Sequence, residues 1–134
     1  MDANERTNKD HAVEADWQSF TLTNGAGGHT GFLEIRWKRE GDWLTVRTER
    51  YRITGNGSRN KANINFSVLV TTTYQQFSWR SPDDRRQDNI WHDWKNERDV
   101  LLKSGAHLVK FTSEFVFDTS GTDPRVEARH TAAI

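Results

Sequence analysis

The feature that most constrains this chain is its punctuation. From Trp17 onward, turn-forming residues recur at short intervals: Asn24-Gly25, Gly27-Gly28, Glu40-Gly41-Asp42, Gly55-Asn56-Gly57, Ser81-Pro82, Gly105 and Gly121. Between them the apolar residues alternate with polar ones. Short alternating runs bounded by such groups belong to antiparallel sandwiches and barrels. The expected fold is therefore all-β, a two-sheet antiparallel β-sandwich, jelly-roll-like, of about seven to nine strands.

Side chains alternate across a strand with period two, so the pattern also assigns faces. Leu33, Ile35 and Trp37 share one face, and Leu44 and Val46 share a face of the next strand. A two-residue turn at Glu40-Gly41 pairs Trp37 with Leu44 and Ile35 with Val46. It leaves Glu34 across from Arg47, and Lys38 across from Trp43, on the opposite face. A second turn at Gly105-Ala106, with Gly first as a type II′ turn prefers, pairs Leu102 with Val109 and Val100 with Phe111. Phe115 and Phe117 continue that phase. The strongest alternation in the chain runs Ile64, Phe66, Val68, Val70, Thr72 and Tyr74, and it reads as a central strand. A phase slip between Tyr74 and Phe77 fits a bulge or bend. A last strand covers 125–134, with Val126, Ala128 and Ala132 on one side.

One segment breaks the β pattern. Ser81-Pro82-Asp83-Asp84 has the form of a helix start, with an N-cap Ser, Pro at the first helical position and acids in the first turn. Ile90, Trp91 and Trp94 fit one helical stripe. A short helix around 82–95 is expected there.

Composition narrows the rest. Residues 1–16 are charged and almost free of apolar side chains, which reads as a flexible N-terminal arm. Residues 17–134 then form one β-sandwich domain. Hydrophobic residues make up 34% of the chain, yet six are Trp and seven are Phe, so a few large aromatics must supply the core. Each can bury roughly 150–250 Å². The core is expected to centre on Trp37, Ile35, Val46, Phe66, Val68, Val70, Val109, Phe111, Phe115 and Phe117, with Trp17 and Trp79 capping its ends. Lys and Arg number 19, as do Asp and Glu. That balance argues against a nucleic-acid partner and permits self-association into a homo-oligomer. The absence of cysteine excludes disulfide and thiol chemistry. No apolar leader or membrane span is visible, so a cytoplasmic location is expected, with release by a non-classical route as the alternative.

The motifs that suggest chemistry fail on context. The cluster from Gly25 to Gly31 lacks the following helix that a phosphate loop requires, because Phe32 to Arg39 alternates as a strand. Asp118-Thr119-Ser120-Gly121 has an extra residue relative to an aspartic-protease motif, and no second copy supplies the paired carboxylate. As a calcium loop it places Gly too early. A strand connection is the better reading. The five histidines, at 11, 29, 92, 107 and 130, contain no closely spaced pair. His107, beside the Gly105 turn, reads as a solvated rim residue. No catalytic residue, metal site or cofactor is therefore assigned, and the chain leans away from being an enzyme.

The aromatic surplus is what calls for a function. Trp43, Trp91 and Trp94 are hard to place in a core. Trp91 and Trp94 stand among amides, carboxylates and cations that include Arg86, Asn89, His92 and Asp93. Aromatic rings among planar polar groups suit a sugar or peptide site, where a ring stacks and polar groups fix hydroxyls. The candidate ligand-binding set is Arg86, Asn89, Trp91, His92, Asp93 and Trp94, with Trp43 beside Lys38 as a separate candidate. The leading expectation is a non-catalytic, lectin-like binding module for carbohydrate or a protein ligand. The alternatives are a structural protein that assembles through the same aromatics, and a small β-barrel enzyme whose site is built from distant residues.

Overall fold

The structure is a computed structural model, and it describes residues 16–134. The expected arm at 1–16 lies, apart from Asp16, outside the described residues. Eight strands occur in chain order: β1 (Gln18–Ala26), β2 (His29–Glu40), β3 (Trp43–Ile53), β4 (Asn63–Val70), β5 (Gln75–Arg80), β6 (His92–Leu101), β7 (Leu108–Val116) and β8 (Arg125–Ala133). They form two antiparallel sheets of four, ordered β1-β2-β3-β6 and β5-β4-β7-β8. This is the two-sheet sandwich the alternation predicts. No described residue is helical, so no described helix is long and apolar enough to cross a membrane.

The core lies between the sheets. Leu33, Ile35, Leu44 and Val46 from the first sheet meet Phe66, Val68, Val109, Phe111 and Phe115 from the second, all essentially buried. Trp37 packs partly buried against them. Phe66 stacks on Trp79 with ring centroids 5.8 Å apart, so Trp79 does cap the core. Beside β1 and β8 the sandwich is closed by Phe20, which stands 4.2 Å from the His130 ring and 5.1 Å from that of Phe111. Across the opposite side, Gln75 donates to the Leu101 carbonyl (2.9 Å) and Arg98 lies over Phe77.

Several local expectations change. The first hairpin turns at Gly41-Asp42, not Glu40-Gly41, so Trp37 pairs with Val46, Ile35 with Thr48, Glu34 with Arg50 and Lys38 with Thr45. Gly41 has φ 60°, a backbone that Gly adopts without steric cost. The shift is two residues at Ile35, Trp37 and Lys38, and an even shift keeps those side chains on their faces; at Glu34 an irregularity between Glu34 and Ile35 adds one residue more. That is why the core assignment survives the error.

The second expected hairpin does not form. β6 pairs with β3 in one sheet, while β7 sits between β4 and β8 in the other. The side chains on each strand fit this choice. β6 presents Asp93, Glu97 and Asp99 opposite Arg50, Arg47 and Thr45 of β3, whereas β7 presents an inward row of Val109, Phe111 and Phe115. Leu102 and His107 are both buried, so the Gly105 loop spans the two sheets instead of folding back. His107 is accordingly no rim residue. One ring nitrogen contacts Thr72 Oγ1, the other lies 2.6 Å from the Lys103 carbonyl, and its backbone exchanges two hydrogen bonds with Ile134.

β4 is central, as expected, but it ends at Val70. Residues 71–74 turn into β5, which pairs back on β4. The expected helix around 82–95 is absent. Its N-cap, Ser81, is consumed elsewhere: its hydroxyl accepts the Ile64 N–H (2.8 Å) and donates to Pro82 O (3.1 Å). Arg85 forms a backbone bridge with Ala62, and His92 already belongs to β6. Trp17 does not cap the core. It lies on the outer face of the first sheet, under Arg36, Lys38 and Arg47.

Candidate functional site

The segment leading into β6 is held by Gln87, which is only 1% exposed. Its Nε2 donates to the carbonyls of Arg59 (3.1 Å) and Asp118 (2.9 Å), and its Oε1 accepts the Asp118 N–H (2.8 Å). One amide thus ties the loops after β3, before β6 and after β7. Gly55 is required beside it, because a Cβ there would meet the Gln87 carbonyl oxygen at 2.2 Å.

From that anchor the polar residues of the segment fan out. His92 Nε2 lies 2.9 Å from both oxygens of Asp88, and its ring leans on Tyr51 at 5.5 Å. Burial raises the Asp88 pKa, but the hydrogen bonds from His92 and the Ile90 N–H outweigh it and hold the carboxyl below its ordinary value. Burial pushes the Tyr51 hydroxyl up, although it accepts the Arg86 N–H at 2.9 Å. The Arg86 guanidinium reaches Asp88 only at 4.0 Å. Asn89 adopts φ 62° and accepts from Arg52 at 3.4 Å.

Trp91 lies on the outer face of the first sheet, with the Arg50 guanidinium 4.3 Å and that of Arg52 5.5 Å from its ring centre. Arg52 also covers Phe32 at 4.3 Å. The result is a layered stack of cations and rings, with the Trp91 indole half-buried inside it. Asp93 is exposed and pairs in register with Arg50, whose Nε donates to Glu34 (3.1 Å).

Trp94 is on the other face. It packs partly buried against the core, and its carbonyl accepts the Thr48 hydroxyl (2.7 Å). Asn89, Trp91 and Asp93 therefore gather around Arg50 and Arg52 on the outer face, Arg86 and His92 gather around Asp88 beside Tyr51, and Trp94 is directed inward. Trp43 stands at the far end of β3, eight residues from Tyr51, roughly 26 Å by strand rise.

Around Trp43 the outer face forms a groove of about 420 Å³, lined by Trp17, Lys38, Glu40, Trp43, Thr45, Arg47, Glu97 and Asp99. Trp43 is 52% exposed. Trp17 is held opposite, its ring 4.2 Å from the Arg47 guanidinium and 5.0 Å from Lys38 Nζ. The polar lining is set by internal pairing. Lys38 bonds Glu40 (3.0 Å), Thr45 Oγ1 donates to Asp99 (2.7 Å), and Arg47 bonds Glu97. Beyond the Arg47–Glu97 pair lies a second depression of about 410 Å³, lined by Thr48, Glu49, Lys95 and Asn96. Its position follows from the irregularity that shifts register between Thr48 and Arg50.

Sequence reasoning singled out Trp43 but missed Trp17, Thr45, Arg47, Glu97 and Asp99. A signal existed: Asp93, Glu97 and Asp99 share a parity on β6, and Thr45 and Arg47 share one on β3. Pairing those two parities would have built this face. Comparison with protein-family models, curated proteins and solved structures finds no match to this chain.

Proposed function

We propose that this protein is a non-catalytic, lectin-like binding module that takes a neutral carbohydrate in the Trp17–Trp43 groove. The observation that carries the reading is Trp43, a half-exposed indole on a rigid sheet face, set across a polar groove from a second indole. A sugar ring has an apolar C–H face and polar edges. Its apolar face stacks on Trp43, while the free lone pairs and N–H groups of Glu97, Asp99, Thr45 and Lys38 take the hydroxyls. Lys38 pairs with Glu40, Arg47 pairs with Glu97, and Asp99 is held by the Thr45 hydroxyl, so no lining cation is left to take an anion, which favours a neutral ligand. Each lining carboxylate is committed to a cation or a hydroxyl, which supports binding and not catalysis. The adjoining depression past Arg47 allows more than one sugar unit.

The test is a neutral glycan screen followed by titration using Trp fluorescence. Trp43→Ala is expected to weaken binding by about 2 kcal/mol, as loss of an anchor residue does, with folding stability nearly unchanged. Equal binding by wild type and Trp43→Ala, or no neutral glycan retained at all, would refute the assignment.

A second reading is supported by a different observation. Tyr74 is 82% exposed at φ 58°, a conformation costly for a bulky residue. Leu101 and Leu108, also exposed, belong to neighbouring strand ends. This apolar end favours an assembly role. Sedimentation of wild type and Tyr74→Ser separates the two: assembly predicts an oligomer that the variant loses, and sugar binding predicts no change.

A further inference from the structure

A groove of about 470 Å³ lies on the opposite side of the molecule, across the outer face of the second sheet. Register builds it. Ser78, Ser67 and Thr112 are successive partners across β5, β4 and β7, so three short hydroxyl side chains form a floor perpendicular to the strands. Longer residues wall it on both sides. One wall carries Lys110, and the other carries Arg80 and Glu114.

The charges of this groove are not balanced. Glu114 accepts from Asn65 (2.8 Å) and pairs with Arg125 (3.4 Å), and Glu127 pairs with Arg129 (2.6 Å). Both carboxylates are thereby committed. Arg80 and Lys110 have no ion-pair partner among the described residues. They stand at opposite corners, their Cα atoms roughly 16 Å apart by strand rise and spacing. Among the described residues no aromatic ring projects from this face, since Phe66 and Phe77 of its lining point into the core, so no ring there is placed to stack a nucleobase.

We infer that this face is a second ligand site, which holds a linear glycan bearing repeated anionic groups, sulfate or carboxylate. The hydroxyl floor of Ser67, Ser78 and Thr112 meets sugar hydroxyls. Arg80 and Lys110 each meet one anion along the chain. The site is independent of the Trp17–Trp43 groove, and it selects by charge where that groove selects by stacking.

The experiment measures retention on immobilised heparin, polygalacturonate and dextran, and on the RNA homopolymer poly(U), at low and moderate salt. Wild type is expected to bind a polyanionic glycan, with retention falling as salt rises. Heparin alone would identify sulfate, polygalacturonate alone would identify carboxylate, and both would identify charge spacing as the criterion. Combined Arg80→Gln and Lys110→Gln should weaken retention about tenfold and flatten its salt dependence. Ser67→Glu, at an exposed position on the floor, should do the same should the double variant fold poorly. Trp43→Ala should leave polyanion binding unchanged. The inference is overturned if neither polyanion is retained, if both groove variants bind like wild type, if Trp43→Ala, which lacks the anchor of the first groove, holds dextran as tightly as the polyanions, or if poly(U) is held more tightly than either glycan.

Discussion

Replacing Gln87 with Met tests whether one buried amide organises the end of the molecule that leads into β6. Met keeps the length and flexibility of the side chain and removes both polar atoms. Three hydrogen bonds disappear, those to the Arg59 and Asp118 carbonyls and from the Asp118 N–H. A typical hydrogen bond contributes about 1 kcal/mol net, and a partner left buried and unpaired costs more, about 1–3 kcal/mol. Arg59 lies in an exposed loop where water can replace the amide. Asp118 is more enclosed, its side chain 16% exposed. The sum is therefore about 3 kcal/mol, with most of it arising at Asp118. Urea unfolding followed by Trp fluorescence should show a lower midpoint with an unchanged slope, because the surface exposed on unfolding stays nearly the same. The Gln87→Glu variant should be at least as destabilised, because a carboxylate cannot donate to either carbonyl. A loss below about 0.5 kcal/mol, the range of ordinary surface substitutions, would refute the argument. The three loops would then be held by the remaining backbone contacts and not by this side chain.

Three further outcomes follow from the same geometry. Phe111→Ala should cost about 3–5 kcal/mol in chemical denaturation, since the ring is fully buried between Phe20 and Phe66; a loss under about 1 kcal/mol would mean the face is misassigned. Trp94→Ala should lower stability by about 2 kcal/mol, because the indole packs on the core, while glycan affinity stays at the wild-type level; weakened binding in a stable variant would restore Trp94 as an anchor. Folding lowers the Asp88 pKa, so its ionised form stabilises the fold at every pH above the ordinary value of 3.8, and that contribution is lost as pH falls through the depressed value. The stability gap between wild type and Asp88→Asn should therefore be full near neutrality and close in acid, and a gap that persists in acid would show that the carboxylate charge is not what Asn removes.

Much of the fold is legible because period two is a strong signal wherever one face is apolar. Ile64, Phe66, Val68 and Val70 could face only a core, and so could Val109, Phe111 and Phe115. The misplaced turn at Gly41 did no harm to the inward assignment of Ile35, Trp37, Leu44 and Val46, since an even register shift preserves faces. The helix expected at 82–95 failed because the start signals around Ser81 are local, and a tertiary contact to β4 claimed the hydroxyl that would have capped it.

The sequence alone determined the inward faces of β2, β3, β4 and β7, and that aromatics must supply the core. Strand partnership was decided only in three dimensions. The pairing of β6 with β3 brings Glu97 onto Arg47 and Asp99 onto the Thr45 hydroxyl, about fifty residues away in the chain, and no local pattern encodes a pairing between distant segments. Both grooves inherit that dependence. The first exists because β3–β6 pairing brings Glu97 and Asp99 beside Arg47, Thr45 and Trp43. The second exists because the β5-β4-β7 register aligns Ser78, Ser67 and Thr112, three small residues that are unremarkable in their own strands and form a floor only when set side by side.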